Sequence, residues 1–93
     1  MASKTTLLLG AELSVSAGVA NSTNVGNAKL VRIYNSSGSA NVITVIDPTG
    51  TNELSGVGSM TVHTNHVEFI EKQPNYTIHG SAAFKAVKVG FTD

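Results

Sequence analysis

The chain has no cysteine and no tryptophan, and its 93 residues include only two prolines, two tyrosines and three phenylalanines. Without cysteine there is neither a disulfide framework nor a thiolate metal site, so packing and hydrogen bonds must hold the fold. With so few rings there is little from which to build a sugar-stacking platform. Charge is scarce too: Asp, Glu, Lys and Arg make up 13% of the chain, against ~25% in ordinary soluble domains. The six basic and six acidic residues balance, and the nearest approach to a basic cluster is Lys85 and Lys88. Affinity for nucleic acid comes largely from releasing counterions from phosphates, so no nucleic-acid partner is expected. Long apolar runs are also missing. The opening "MASKTTLLLG" holds one lysine and three leucines before Gly10, too short for a signal-peptide core or a membrane span, and predicts cytoplasmic synthesis without processing and no membrane partner.

What is present is 41% apolar residues set among Ser, Thr, Asn and Gly. A chain this short forms one domain, residues 1–93, and buries only about 60–70% of its unfolded surface, which favours stabilisation by partners. Sparse charge means little repulsion between copies packed side by side. The triplets beginning at Asn21, Asn35 and Asn75 fit the glycosylation pattern, but so polar a chain produces such triplets by chance.

No window long enough for a helix shows helical spacing, whereas short β-branched runs recur between turn-forming residues. The expectation is an all-β, small antiparallel β-sandwich, jelly-roll or immunoglobulin-like, with about seven or eight short strands. These are read at 5–9, 12–17, 29–35, 41–46, 59–63, 67–71, 76–79 and 85–91. Alternation places Val31 and Ile33 on one face, with Leu30, Arg32 and Tyr34 on the other; Val87, Val89 and Phe91 share a face opposite Ala86 and Lys88. "NVITVI" is apolar on both faces and reads as a central strand. Its outward face, or the Leu30 and Tyr34 face, is a candidate for cover by another subunit. Between Val67 and Gly80, Pro74 lacks the N–H a ladder requires, so the chain leaves the sheet at "KQPN" and re-enters near Tyr76.

Candidate chemistry is thin. His63 and His66 with Glu68 suggest a metal cluster, but residues three apart on a strand point to opposite faces, and the rings converge only if Thr64 and Asn65 form a turn. Glu68 and Glu71 suggest a glycosidase carboxylate pair, without the aromatic cleft such a pair serves. Serines, histidines and aspartates occur without a G-x-S-x-G elbow. The glycine-containing stretches Gly18–Asn27 and Gly56–Met60 have no helix pattern after them to present to phosphate and read as flexible turns. No catalytic residue, cofactor site or metal site is assigned. Residues 1–28 carry no aromatic residue and only one strongly apolar patch, Thr5 to Leu9. They read either as a first hairpin or as an arm that adds a strand to a neighbour's sheet.

"GSMTVHTNHVEFIEKQPNYTIHGSAAFKAVKVGF", Gly58 to Phe91, resembles the C-terminal half of small β-sandwich virion proteins of tailed phages, especially cyanophages. The matching features are Met60-Thr61-Val62, the segment Phe69 to Lys72, and the final strand Lys85 to Phe91. The resemblance implies a non-enzymatic virion structural protein, a capsid decoration or cement protein bound in many copies, or as a homo-oligomer, to major capsid protein subunits or other virion proteins. Head-completion and tail accessory proteins are variants, and a small carbohydrate-binding β-sandwich is the alternative. The family carries no motif from which a functional residue transfers. Candidate protein contacts therefore rest on position in the chain: Thr5, Leu7 and Leu9 on the possible strand-donating arm, Tyr34 on the face open to another subunit, and Lys72, Gln73 and Asn75 expected to be exposed at the corner.

Overall fold

The computed structural model describes residues 5–49 and 56–92. Among the described residues eight strands follow one another: β1 Thr5–Leu8, β2 Leu13–Val15, β3 Leu30–Tyr34, β4 Asn41–Ile46, β5 Gly56–Val62, β6 Val67–Glu71, β7 Thr77–Gly80 and β8 Phe84–Thr92, with one 3-10 turn at Val19–Asn21. Each overlaps a segment expected from alternation. The main difference lies in β5, which begins at Gly56 rather than Ser59. The glycines read as a flexible turn are extended backbone opposite Val45 and Ile46, where the β4–β5 register shifts. Glycine in a strand commonly marks such an irregularity.

Two antiparallel sheets form, β1-β8-β3-β6 with β2 also on β8, and β5-β4-β7. The pairings nest: β1 with β8, β3 with β6, β4 with β5. The chain beyond β2 completes the nesting by bridging Thr23 to Ile78 of β7. First with last and inward is the order of one long hairpin rolled over itself, so of the two sandwich types expected this is the jelly roll. β1 and β2 do not pair with each other as a first hairpin would. Both lie along β8, β2 on Phe84–Ala86 and β1 on Val89–Thr92, so Thr5–Leu8 is an edge strand of its own sheet.

The core fills the space between the sheets with Val31 and Ile33 from β3, Phe84 and Ala86 from β8, Ile43 and Val45 from β4, Val62 from β5 and Ile78 from β7. Val15, Val25 and Ala28 close it at the side where the chain crosses between sheets. The expected faces of β3 hold: Val31 and Ile33 point in, and Leu30, Arg32 and Tyr34 point out. In β8 the shared face is as expected, but Phe84 and Ala86 supply the core. Val87 and Val89 are buried on the opposite face, beside their neighbours Arg32 and Leu8.

Two buried asparagines organise the loops. The Asn35 amide donates to the carbonyls of Ser39, at 2.8 Å, and Val62, at 2.9 Å, while its oxygen accepts from the Ser37 N–H and hydroxyl. The Asn41 amide donates to Ala82 and Ala83 carbonyls at 2.8 and 3.1 Å, and its oxygen accepts from the Ala82 N–H. Apart from Val62, which ends β5, the backbone groups they bind belong to loops outside the ladders. The second arrangement needs a glycine beside it: a Cβ on Gly80 would lie 2.7 Å from Asn41 Oδ1, 2.8 Å from the Ala82 carbonyl and 2.9 Å from Phe84. Gly80→Ala should therefore destabilise the fold by about 1–3 kcal/mol, the usual range for overpacking. Urea unfolding should show a lower midpoint with an unchanged slope; an unchanged midpoint would mean that this corner yields freely.

Candidate docking surface

The outer face of the larger sheet follows from the register. Leu30, Arg32 and Tyr34 on β3 stand opposite Glu71, Phe69 and Val67 on β6. On the other side, Arg32 and Tyr34 stand opposite Val87 and Lys85 on β8, and further along β8 Val89 and Phe91 stand opposite Leu8 and Thr6 on β1. Alternation thus gathers an apolar row on a face that no second sheet covers. Phe69 and Phe91 meet across β3 with ring centroids 5.2 Å apart and planes inclined at 55°, within the range favoured by tilted aromatic pairs. They remain 43% and 40% exposed, and Leu8 is 72% exposed. Charges border this row: Arg32, Glu71 and Lys85 share the face, and Arg32 approaches the exposed Glu12 only to 4.0 Å, a geometry worth little in water.

The candidate contacts chosen from sequence fall in three places. Thr5, Leu7 and Leu9 lie on or just beyond β1, and all three are exposed. Tyr34 belongs to the outer face, half-buried, and its hydroxyl donates to Asn65 Oδ1 at 3.2 Å. Gln73 and Asn75 are exposed at the corner. Lys72 does not join them. Expected to be exposed with its neighbours, it is 7% exposed, and its ammonium donates to the carbonyls of Ala28 at 2.7 Å, Asn24 at 3.0 Å, and Gln73 and Pro74 at 3.3 Å. Burial pushes the Lys72 pKa below its ordinary value, while four carbonyl dipoles oppose that by favouring the charged form.

This ammonium fixes the turn that carries Val25. Val25 is a β-branched residue with φ 56°, a conformation costing of order 1–3 kcal/mol that persists only where its surroundings impose it. Its side chain is buried in the core, and Lys72 binds the carbonyls just before and after it in sequence, those of Asn24 and Ala28. Sequence reasoning missed this role because a lysine beside a proline corner looks solvated. The available signal was slight: a lone valine in the polar, turn-rich stretch Asn21–Asn27, with nothing local to show that Lys72 would reach it.

The histidines are arranged as the sequence allowed. Thr64 and Asn65 form a turn, Asn65 with φ 62° and His66 N–H donating to His63 at 3.1 Å. The two rings meet edge to face with centroids 5.8 Å apart. They line a cleft of about 390 Å³ with Glu68, but among the described residues no three His, Asp or Glu side chains come together closely enough to hold a metal ion. Glu68 and Glu71 point to opposite faces, Glu68 across from core-facing Ile33 and Glu71 across from Leu30, so they do not converge as a carboxylate pair. A second cleft of about 490 Å³ lies by the corner, lined by Lys29, Glu71, Gln73 and Tyr76 among others. His79 on β7 stands apart opposite Thr44, its Nδ1 buried without a hydrogen-bond partner among the described residues.

Lys72→Met keeps the length of the stem but removes the ammonium that donates to the Asn24 and Ala28 carbonyls. It should cost about 1–3 kcal/mol, the penalty for leaving buried acceptors unsatisfied, read as a fall in the thermal midpoint. Gln73→Ser and Asn75→Ser should shift stability by no more than about 0.5 kcal/mol, as at ordinary surface positions. Equal effects at all three positions would overturn the distinction between the buried lysine and the exposed corner. No protein-family model, no curated protein and no solved structure matches the chain.

Proposed function

We propose that the chain is a non-enzymatic structural component of a virion, a decoration or cement-type protein that binds neighbouring shell subunits in many copies. The observation that carries this reading is the outer face of the larger sheet, where Leu8, Phe69 and Phe91 leave large apolar surfaces in water although the chain holds few charges and no cysteine. Exposed apolar groups clustered on one sheet face are a common mark of protein contact. The resemblance of Gly58–Phe91 to small phage virion proteins supplies the class of assembly. The jelly roll serves capsid, lectin and cupin domains alike, so architecture by itself selects none of them. The exposed phenylalanines argue against the lectin-like alternative: inclined at 55°, they do not offer the flat platform on which a sugar ring stacks.

Modest affinity per copy suffices in such a role, because symmetry-related contacts on one particle act together. The contact surface assigned here is the Leu8, Phe69 and Phe91 face, with exposed Gln73 and Asn75 at the corner as secondary contacts.

The reading is tested on purified tailed-phage particles whose genome encodes the chain. Quantitative mass spectrometry should find it at a copy number comparable to that of the shell subunit. A few copies per particle would move it to the tail or a vertex, and absence from the particle would overturn the virion reading. Phe69→Ser, at a site too exposed to hold the core, should lower particle occupancy by at least about tenfold if this ring is a central contact.

A further inference from the structure

We infer that β1 is the edge through which two copies of this chain join, in an antiparallel β1 to β1 pairing centred on Leu7. The starting point is how β8 is shared. β3 pairs only with Lys85–Lys88, while β1 pairs with Val89–Thr92, so the far half of β8 and β1 form a two-stranded ribbon beyond β3. A two-stranded ribbon has little stability of its own in water, and a third strand normally completes it. Both of its faces carry apolar side chains: Leu8 and Phe91 on one, Leu7 on the other with Leu9 just beyond it, all well exposed.

The other edges differ. β6 turns Glu68 toward the core side, opposite Ile33, and ends on Glu71, the inward charge that discourages strand addition. β7 is covered by the chain beyond β2, through the reciprocal Thr23 and Ile78 backbone bonds at 2.8 and 3.0 Å and the Gly18 to Gly80 bond at 2.9 Å. β5 is interrupted by Gly56, Gly58 and the register shift against β4. The segment Thr6 to Leu9 has no charge, no proline and no irregularity, so nothing in it opposes pairing.

The register follows from the hydrogen-bond alternation. Leu9 N–H donates to the Lys88 carbonyl at 2.9 Å, which directs the backbone groups of Leu9 and Leu7 toward β8 and those of Thr6 and Leu8 away from it. Pairing centred on Leu7 places Thr6 of each copy opposite Leu8 of the other, so the outward groups of both strands satisfy one another. The partner is a second copy because the segment is self-complementary: Leu7 meets Leu7, leucines border threonines, and no like charges face each other. A two-fold axis perpendicular to the sheet keeps both outer faces on one side and leaves Phe69 and Phe91 free. The contact is smaller than the ~1,600 Å² of a standard interface, so the dimer should be weak and concentration-dependent. The inference does not depend on the virion reading.

The chain has no cysteine of its own, so crosslinking can read the register. Directly opposed residues of a non-hydrogen-bonded antiparallel pair lie ~4.5 Å apart at Cα, within disulfide reach. Under mild oxidation, Leu7→Cys should therefore form a disulfide dimer at least about tenfold faster than Leu8→Cys, whose opposite residue is Thr6. Sedimentation of the unmodified full chain should show its mass rising from 9.6 kDa toward twice that value with concentration. Val57→Lys on β5 should leave that rise unchanged, and Leu7→Lys should abolish it while amide protection in the core persists. A monomer at every concentration, equal crosslinking at positions 7 and 8, or dissociation by Val57→Lys but not Leu7→Lys would overturn the inference. Failure here with the chain still abundant on particles would leave the virion reading intact.

Discussion

A thin sandwich must close its open sides with chain that belongs to no ladder, and the backbone groups of that chain still require partners. Here the closing is done by three buried polar side chains, Asn35, Asn41 and Lys72. Asn35 ties the β3–β4 connection to the end of β5; Asn41 ties the start of β4 to the β7–β8 connection. Lys72 anchors the 24–28 turn to the corner after β6. An unpaired buried amide or ammonium costs more than an ordinary hydrogen bond returns, so each of these side chains fixes one arrangement of its loop. The placement of Val25 in the core, and with it the crossing of the chain from one sheet to the other, depends on this satisfaction rather than on apolar pattern alone.

The two faces of the larger sheet follow from a feature of β8. In a half-buried strand, apolar residues occupy one face. β8 instead has Phe84 and Ala86 facing the core, with Val87 and Val89 buried and Phe91 exposed on the other side. A strand written for burial on both sides, in a sandwich that covers only one, leaves an apolar outer surface. That surface is where Phe69 from β6 and Leu8 from β1 also arrive. The ribbon of β1 with the end of β8 extends the same condition past β3, where neither face is covered by the smaller sheet's ladders.

Much of this architecture was legible in the sequence. Period-two alternation placed all eight strands, and the inward side of β3 followed from Val31 and Ile33, because local patterning and tertiary burial agree there. The turn at Thr64 and Asn65 was open from sequence only as a condition, since whether a short polar pair reverses the chain depends on an Asn at φ 62°. Other features were hidden for physical reasons. Which face of β8 enters the core is set by the strands beside it, and both faces are apolar enough to qualify. The contact between Phe69 and Phe91 joins distant positions, and no local pattern records it. Lys72 was read as a solvated corner residue because the two nearest carbonyls that receive its ammonium, those of Ala28 and Asn24, belong to a turn far away in the chain.

Scarce charge ties these features together. A protein with large exposed apolar groups usually separates its copies by net charge; this chain has a formal net charge of zero and forgoes that protection. Its safeguards are local instead: an inward glutamate on β6, a covering segment on β7 and a register shift in β5. Local safeguards act edge by edge, and so they leave particular surfaces open while closing others. A chain protected in this way can meet neighbours in defined orientations at high local density without general aggregation. That property is what the proposed role in a repeating shell would require, and the same physics would make the isolated chain sensitive to concentration.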